Sequence, residues 1–152
     1  MWATGKKAAG AFSSYLKATF YGGGTVNNNV WTKMEFKGVS YDNDSEVDIV
    51  TNYRWDVKAT GFYRLTAMAT LGSFVSTDGL GLVVKIYVNG STLERGVSGV
   101  MGGGADGDVT SIHTTSLQLT AGDEVEVYVH QDSGAPRAIS GWGNYLTAER
   151  FA

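Results

Sequence analysis

The stretch LTAGDEVEVYVHQDSGAPR, Leu119 to Arg137, sets His130 two residues before Asp132 and beside a Gly-Ala-Pro loop. A histidine close to a carboxylate is the arrangement of an oriented general base or a metal ligand. A second concentration of chemistry is YDNDSEVD, in which Asp42, Asp44 and Glu46 alternate like the opening of a calcium loop. An EF-hand needs Gly at its sixth position and a bidentate Glu at its twelfth. Val47 and Tyr53 stand there instead, so the cluster is expected to be a solvated loop and not a required calcium site. The run GGGADGD, Gly102 to Asp108, has the glycines of a phosphate cradle. It lacks the Lys-Ser/Thr ending, the preceding parallel strand and the following helix of a P-loop, and reads as a loose loop.

His113 and His130 are the only histidines, there is no cysteine, and no HExxH spacing occurs. A catalytic zinc set therefore has too few ligands. His113, in a threonine-rich run, reads as an ordinary strand residue. Serines are plentiful, but no G-x-S-x-G elbow presents one. No catalytic residue, metal or cofactor is assigned, and the chain is read as a non-enzyme. Asn89-Gly90-Ser91 has the form of a glycosylation sequon, but a turn accounts for it, as follows.

The elements that must position these residues are strands. Gly 21 against Pro 1, interleaved with short runs of Val, Thr, Tyr and Phe, is the vocabulary of an all-β chain. In KIYVNGSTLE, alternating residues run into Asn89-Gly90, the pair that tolerates positive φ at both centres of a type I′ hairpin turn. Leu117 and Leu119 alternate before Ala121-Gly122-Asp123, and Val125, Val127 and Val129 alternate after it. His130 then shares its face with Glu124, Glu126 and Tyr128 and points away from the core. Further strands are expected at Ala11 to Thr19, Trp31 to Phe36, Phe62 to Thr70, Leu82 to Val88, Ser111 to Leu119 and Tyr145 to Phe151. Short strands with frequent turns point to a sandwich or jelly roll.

With 152 residues the chain suits one domain. The net charge of -3, with no basic block, argues against nucleic acid and anionic membranes as partners. No run approaches the roughly 18 apolar residues of a membrane span, and MWATGKKAAG lacks a signal-peptide core, so a soluble chain is expected. Residues 1–10 read as a flexible arm and 11–152 as the domain.

WDVKATGFYRLTAMA, KIYVNGS, LQLTAGDEVEVYV and NYLTAERF together resemble the globular domain of complement C1q and the wider C1q/tumour-necrosis-factor-like jelly rolls. The family shows an aromatic, five residues, then G-x-Y, which Trp55, Gly61 and Tyr63 match. Leu65 and Ala67 replace later aromatics of that pattern. Phe36, Asp42 and Val47 fit upstream once one residue is inserted before Trp55. The Gly122-Asp123 hairpin and the closing strand ending at Phe151 follow in the family's order. The wording of AFSSYL, WTKMEF and NYLTAERF is similar to C1q-like domains of bacteriophage virion proteins. The resemblance implies a ten-stranded jelly-roll sandwich that assembles as a homotrimer, and a structural or binding part instead of an enzyme.

On Gly61 to Ala69, the matching face is Tyr63, Leu65, Ala67 and Ala69, which leaves Phe62 and Met68 outward beside Arg64 and Thr66. Phe62 and Met68, with Tyr128, are the candidate trimer interface. Two roles are in view. The first is a trimeric capsid decoration or head protein of a bacteriophage, on the virion surface, bound to the major capsid protein or another virion protein. Trp2, Lys6 and Lys7 are then its candidate anchor. The alternative is an adhesin-like knob of a phage tail or fibre, in which exposed loops such as Gly102 to Asp108 and Gly134 to Trp142 bind host glycan, with Trp142 and Tyr145 as stacking surfaces.

Overall fold

Alternation of apolar and polar residues dictates extended structure in which one side of each strand is buried, and the computed structural model is all-β. It describes residues 15–20, 24–42, 44–74, 81–92, 97–102 and 107–151. The arm with Trp2, Lys6 and Lys7 lies outside them.

The strands are β1 (Tyr15–Thr19), β2 (Thr25–Val26), β3 (Thr32–Lys33), β4 (Gly38–Asp42), β5 (Val47–Asp48), β6 (Arg54–Asp56), β7 (Gly61–Phe74), β8 (Leu82–Val88), β9 (Ser91–Thr92), β10 (Val97–Gly102), β11 (Gly107–Leu119), β12 (Glu124–Gln131), β13 (Arg137–Ala138) and β14 (Tyr145–Arg150). The tally exceeds the ten of the resemblance because short pairings such as β2, β3, β5, β9 and β13, of two residues each, stand as separate strands. The first sheet has the order β10-β11-β7-β14-β1-β4. The second has the order β5-β6-β12-β8-β9, with β3 also on β12, and β13 pairs with β2. This crossed antiparallel order is a jelly-roll sandwich.

The core lies between the sheets. β7 contributes Tyr63, Leu65, Ala67, Ala69 and Leu71, and the second sheet answers with Leu82, Val84, Ile86, Val125, Val127 and Val129, all fully buried. Register arranges large against small on the first sheet. Leu146 lies between Ala67 and Ala18, while Ala148 lies between Leu65 and Leu16. Each large side chain thus fills the space its alanine neighbours leave, which packs the layer without overcrowding.

The residues that carry the resemblance lie in the core and at its turns. Trp55 and Tyr63 are fully buried, their rings edge to face at 5.3 Å. The Tyr63 hydroxyl donates to the Ala59 carbonyl (2.6 Å), and Gly61 opens β7 opposite Leu119. Asn89 (φ 52) and Gly90 (φ 75) form the left-handed turn expected of them. The Asn89 side chain also reaches the other hairpin, donating to Asp123 Oδ1 (2.8 Å) and accepting from the Glu124 N–H (2.9 Å). Gly122 turns at φ 98, and its N–H donates to the Val57 carbonyl (2.7 Å).

Candidate functional site

Because successive strand residues face opposite ways, the first sheet presents a second face outward, in rows set by register. At one end Phe62 and Phe151 meet, ring centroids 6.2 Å apart, the Phe151 N–H donating to the Phe62 carbonyl (2.9 Å). Next come Arg64, Ser116 and Glu149, with Arg64 Nη1 3.5 Å from Glu149 Oε2. Then comes a threonine row, Thr66 opposite Thr114 and Thr147, with Thr66 Oγ1 and Thr114 Oγ1 3.1 Å apart. The next row is apolar: Met68 between Ile112 and Tyr145, with Lys17 Nζ 5.3 Å above the Tyr145 ring.

The turn before β14 closes over this end. A Cβ on Gly143 would stand 2.7 Å from Thr70 Oγ1 and 3.3 Å from Met68 Cε, so the backbone passes directly across the outward face. Asn144 ties the turn down: its Oδ1 accepts from the Thr70 N–H (2.7 Å), and its Nδ2 donates to the Ser140 (2.6 Å) and Trp142 (3.0 Å) carbonyls. The result is a fixed turn that carries Trp142 at 62% exposure beside the apolar row. Phe62 and Phe151, at 46% and 43%, stand open at the opposite end.

The second sheet's outward face differs in chemistry. It carries ion pairs: Lys33 with Glu126, and Arg54 with both Asp56 (2.7 Å) and Glu124 (2.7 Å). Tyr128 is here, its ring 4.3 Å from that of Tyr87. Burial, with Glu126 and Tyr87 adding to it, raises the Tyr128 phenol above its ordinary value. Phe62, Met68, Phe151, Trp142 and Tyr145 thus come together around one face, whereas Tyr128 does not join them. Its strand belongs to the opposite sheet, so its outward side chain leaves the sandwich on the other side.

The candidate chemistry of the sequence separates in the same way. His130 projects outward from β12, its ring 5.1 Å from that of Trp31, while His113 is buried on the inward side of β11. The second sheet stands between them. Among the described residues, no cluster of three His, Cys, Asp or Glu could hold a metal ion. Asp42 ends β4 with its carboxylate turned on its own loop, accepting from the N–H groups of Glu46 (2.7 Å), Val47 (3.0 Å) and Asp44 (3.3 Å). Glu46 departs from the solvated loop read in the sequence. It is buried and accepts from the Trp55 indole (2.6 Å) and the Lys58 N–H (2.9 Å). A buried indole N–H needs an acceptor, and Glu46 supplies it. In Gly102 to Asp108, Gly102 ends β10 and Gly107 opens β11. Asp108 is held by the Ser140 hydroxyl (3.0 Å), so both ends of that run are ordered.

The strand expected from Trp31 to Phe36 is shorter, Thr32–Lys33, which leaves Trp31 in the turn before it, and no local pattern links Trp31 to His130. The signal was the Asn27-Asn28-Asn29 run just before it, a polar turn presenting an aromatic.

No family model matches the chain, and no curated protein matches it closely in sequence. Its fold is similar to that of solved structures. The Eiger TNF of S. frugiperda is 13% identical at a TM-score of 0.62, over 92% of this chain and 94% of that one. Murine APRIL is 17% identical at 0.58, over 91% and 98%. The globular domain of zebrafish complement 1qA is 12% identical at 0.57, over 92% and 98%. At these identities the likeness is one of fold, and the chain has the C1q/TNF-like jelly roll.

Proposed function

We propose that this chain is a non-enzymatic assembly protein, a homotrimer built through the outward face of the first sheet, serving as a capsid decoration or head protein of a bacteriophage. The observation that carries the assembly is the contrast between the two outward faces. The first carries mostly hydroxyls and apolar groups around one Arg64–Glu149 pair and Lys17, with Phe62 and Phe151 open at one end and, at the other, exposed Trp142 in the turn that crosses Met68. The second carries the closer ion pairs, Lys33 with Glu126 and Arg54 with Asp56 and Glu124. Depletion of charge with aromatic enrichment is the mark of an interface core, and closed threefold symmetry would bury one such patch per chain without disulfides. The virion setting rests on the resemblance of AFSSYL, WTKMEF and NYLTAERF to phage domains, with the major capsid protein or another virion protein as partner.

Native mass spectrometry at micromolar concentration is expected to give three chain masses with no metal. Phe62→Glu, which puts a charge into the buried patch, should release folded monomers, while Phe62→Leu should stay trimeric. A monomeric wild-type chain would overturn the assembly reading. Density for this chain at threefold or quasi-threefold positions of a capsid would support the decoration role, and density at a tail or fibre tip would support the receptor-binding knob. The exposure of Trp142 is the observation that keeps that second reading, with Tyr145 beside it as a stacking surface for host glycan.

A further inference from the structure

The outward face of the second sheet bears an aromatic feature that assembly through the first sheet would leave open. Trp31 lies across three side chains that rise from that sheet. Lys85 Nζ is 5.7 Å from its ring centroid, the His130 ring 5.1 Å away and tilted by 38°, and the Tyr87 ring 6.4 Å away at 61°. Propped in this way, Trp31 is still 39% exposed. The turn that delivers it is fixed by the backbone. The Asn29 N–H donates to the Gln131 carbonyl (2.7 Å), the Gly134 N–H donates to Asn28 Oδ1 (2.8 Å), and Asn28 bridges Gln131. Asn29 holds a left-handed φ of 59. Asn27 and Asn29 are exposed, and among the described residues neither carboxamide has a hydrogen-bond partner.

We propose that this is a saccharide-binding platform in which one neutral pyranose ring stacks on Trp31 and its hydroxyls pair with the Asn27 and Asn29 carboxamides. The chemistry selects that occupant. An aromatic face accepts the C–H side of a sugar ring, and a carboxamide offers both a donor and an acceptor to hydroxyl groups. A charged ligand has less to meet here, because Lys33 is already answered by Glu126 and Lys85 lies against Trp31. A flat protein partner needs about 800 Å² on each side, whereas the exposed apolar part of this turn is Val30 and Trp31, bordered by charged and polar groups. Pre-ordering of the turn and ring removes the entropy cost that otherwise weakens a small contact. The platform is separate from the face proposed for assembly and does not depend on the virion setting.

The test uses the full chain with neutral α- and β-linked oligomers of hexose and N-acetylhexosamine as probes, read by saturation-transfer NMR and tryptophan fluorescence. At least one probe is expected to bind saturably. Trp31→Ala should weaken that probe by about tenfold or more, as loss of an aromatic anchor does. Asn29→Gly keeps the left-handed backbone and removes only the carboxamide, so it should weaken the same probe by roughly threefold to tenfold. It also decides the matter should Trp31→Ala fail to fold. Trp142→Ala is the competing variant, in the turn of the alternative glycan site, and Val50→Ala, at an exposed side chain of another loop, should bind as the wild type does. Absence of saturable binding by every probe at millimolar concentration overturns the proposal, as does binding that survives Trp31→Ala or is lost in Trp142→Ala instead. Association of trimers into larger particles that requires Trp31, without any saccharide binding, would make the patch a contact between copies and also overturn it. The native mass of each variant reports the trimer independently, so failure of the two proposals is distinguishable.

Discussion

Glu46 shows how one carboxylate sequestered by its neighbours removes a candidate metal ligand. Its oxygens hold the Trp55 indole and the Lys58 N–H, and Asp42 is committed to the backbone of its own loop. Melting temperature is therefore expected to stay nearly constant on adding EDTA, and a large drop restored by calcium would contradict this. Glu46→Ala strands the buried Trp55 indole N–H and frees the part-buried Lys58 N–H, and should cost roughly 2 kcal/mol, seen as a lower urea midpoint at unchanged slope. Asp48 behaves differently because it is exposed. N–H groups of Thr51 (2.8 Å), Val50 (2.9 Å) and Asn52 (3.0 Å) point at its carboxylate and hold its pKa down to about 2. With the folded value below the unfolded one near 4, its stabilisation is complete above about pH 4 and is lost as pH falls through about 2. Between those limits the wild type should lose more melting temperature than Asp48→Asn, and parallel acid limbs would refute the assignment.

At the scale of elements, the alternation of leucine and alanine on the first sheet is what register achieves. Leu146 sits between Ala18 and Ala67, and neither methyl can move to refill a hole. Leu146→Ala is accordingly expected near the upper part of the range of about 2–5 kcal/mol for such truncations, measured by chemical denaturation. The two hairpins make a second element-level unit. Asn89 provides the left-handed turn and also binds Asp123 and the Glu124 N–H. Asn89→Gly keeps the backbone freedom and removes the links, so it should cost about 1–2 kcal/mol. A double-mutant cycle with Asp123→Ala should give coupling of about 0.5 kcal/mol or more, and strict additivity would show that the hairpins do not support each other.

For the whole molecule, the two proposals give the two outward faces different work, one toward copies of the chain and one toward a ligand. A third proposal concerns the arm, whose residues lie outside the described ones. Trp2 with Lys6 and Lys7 combines one large apolar anchor with two cations, a composition suited to docking on a partner. Deletion of Met1 to Gly10 is expected to leave the assembly and its melting behaviour almost intact while weakening rebinding to a virion stripped of this protein. Trp2→Ala should cost on the order of 2 kcal/mol of attachment per chain, multiplied by avidity. Equal rebinding of full-length and truncated chains, or loss of the assembly on truncation, would move the docking surface onto the jelly roll.

The sequence by itself determined the strand character, the Asn89-Gly90 turn, the inward set Val125, Val127 and Val129, and the outward setting of Phe62 and Met68, because period-2 alternation and turn stereochemistry are local properties. It also carried Trp55, Gly61 and Tyr63, whose spacing matches a family of known fold. Neighbours across the sheets were beyond it. Only the tertiary structure decided that β7 lies between β11 and β14, that Tyr128 leaves the sandwich opposite Phe62, that Glu46 is buried under Trp55, and that the Gly143 turn crosses Met68. It alone brought Trp31 to His130, residues far apart in the chain. Alternation says which way a side chain points relative to its own strand. Which strand lies beside it is settled by closing the core as a whole, and a site that straddles strands exists only once that has happened.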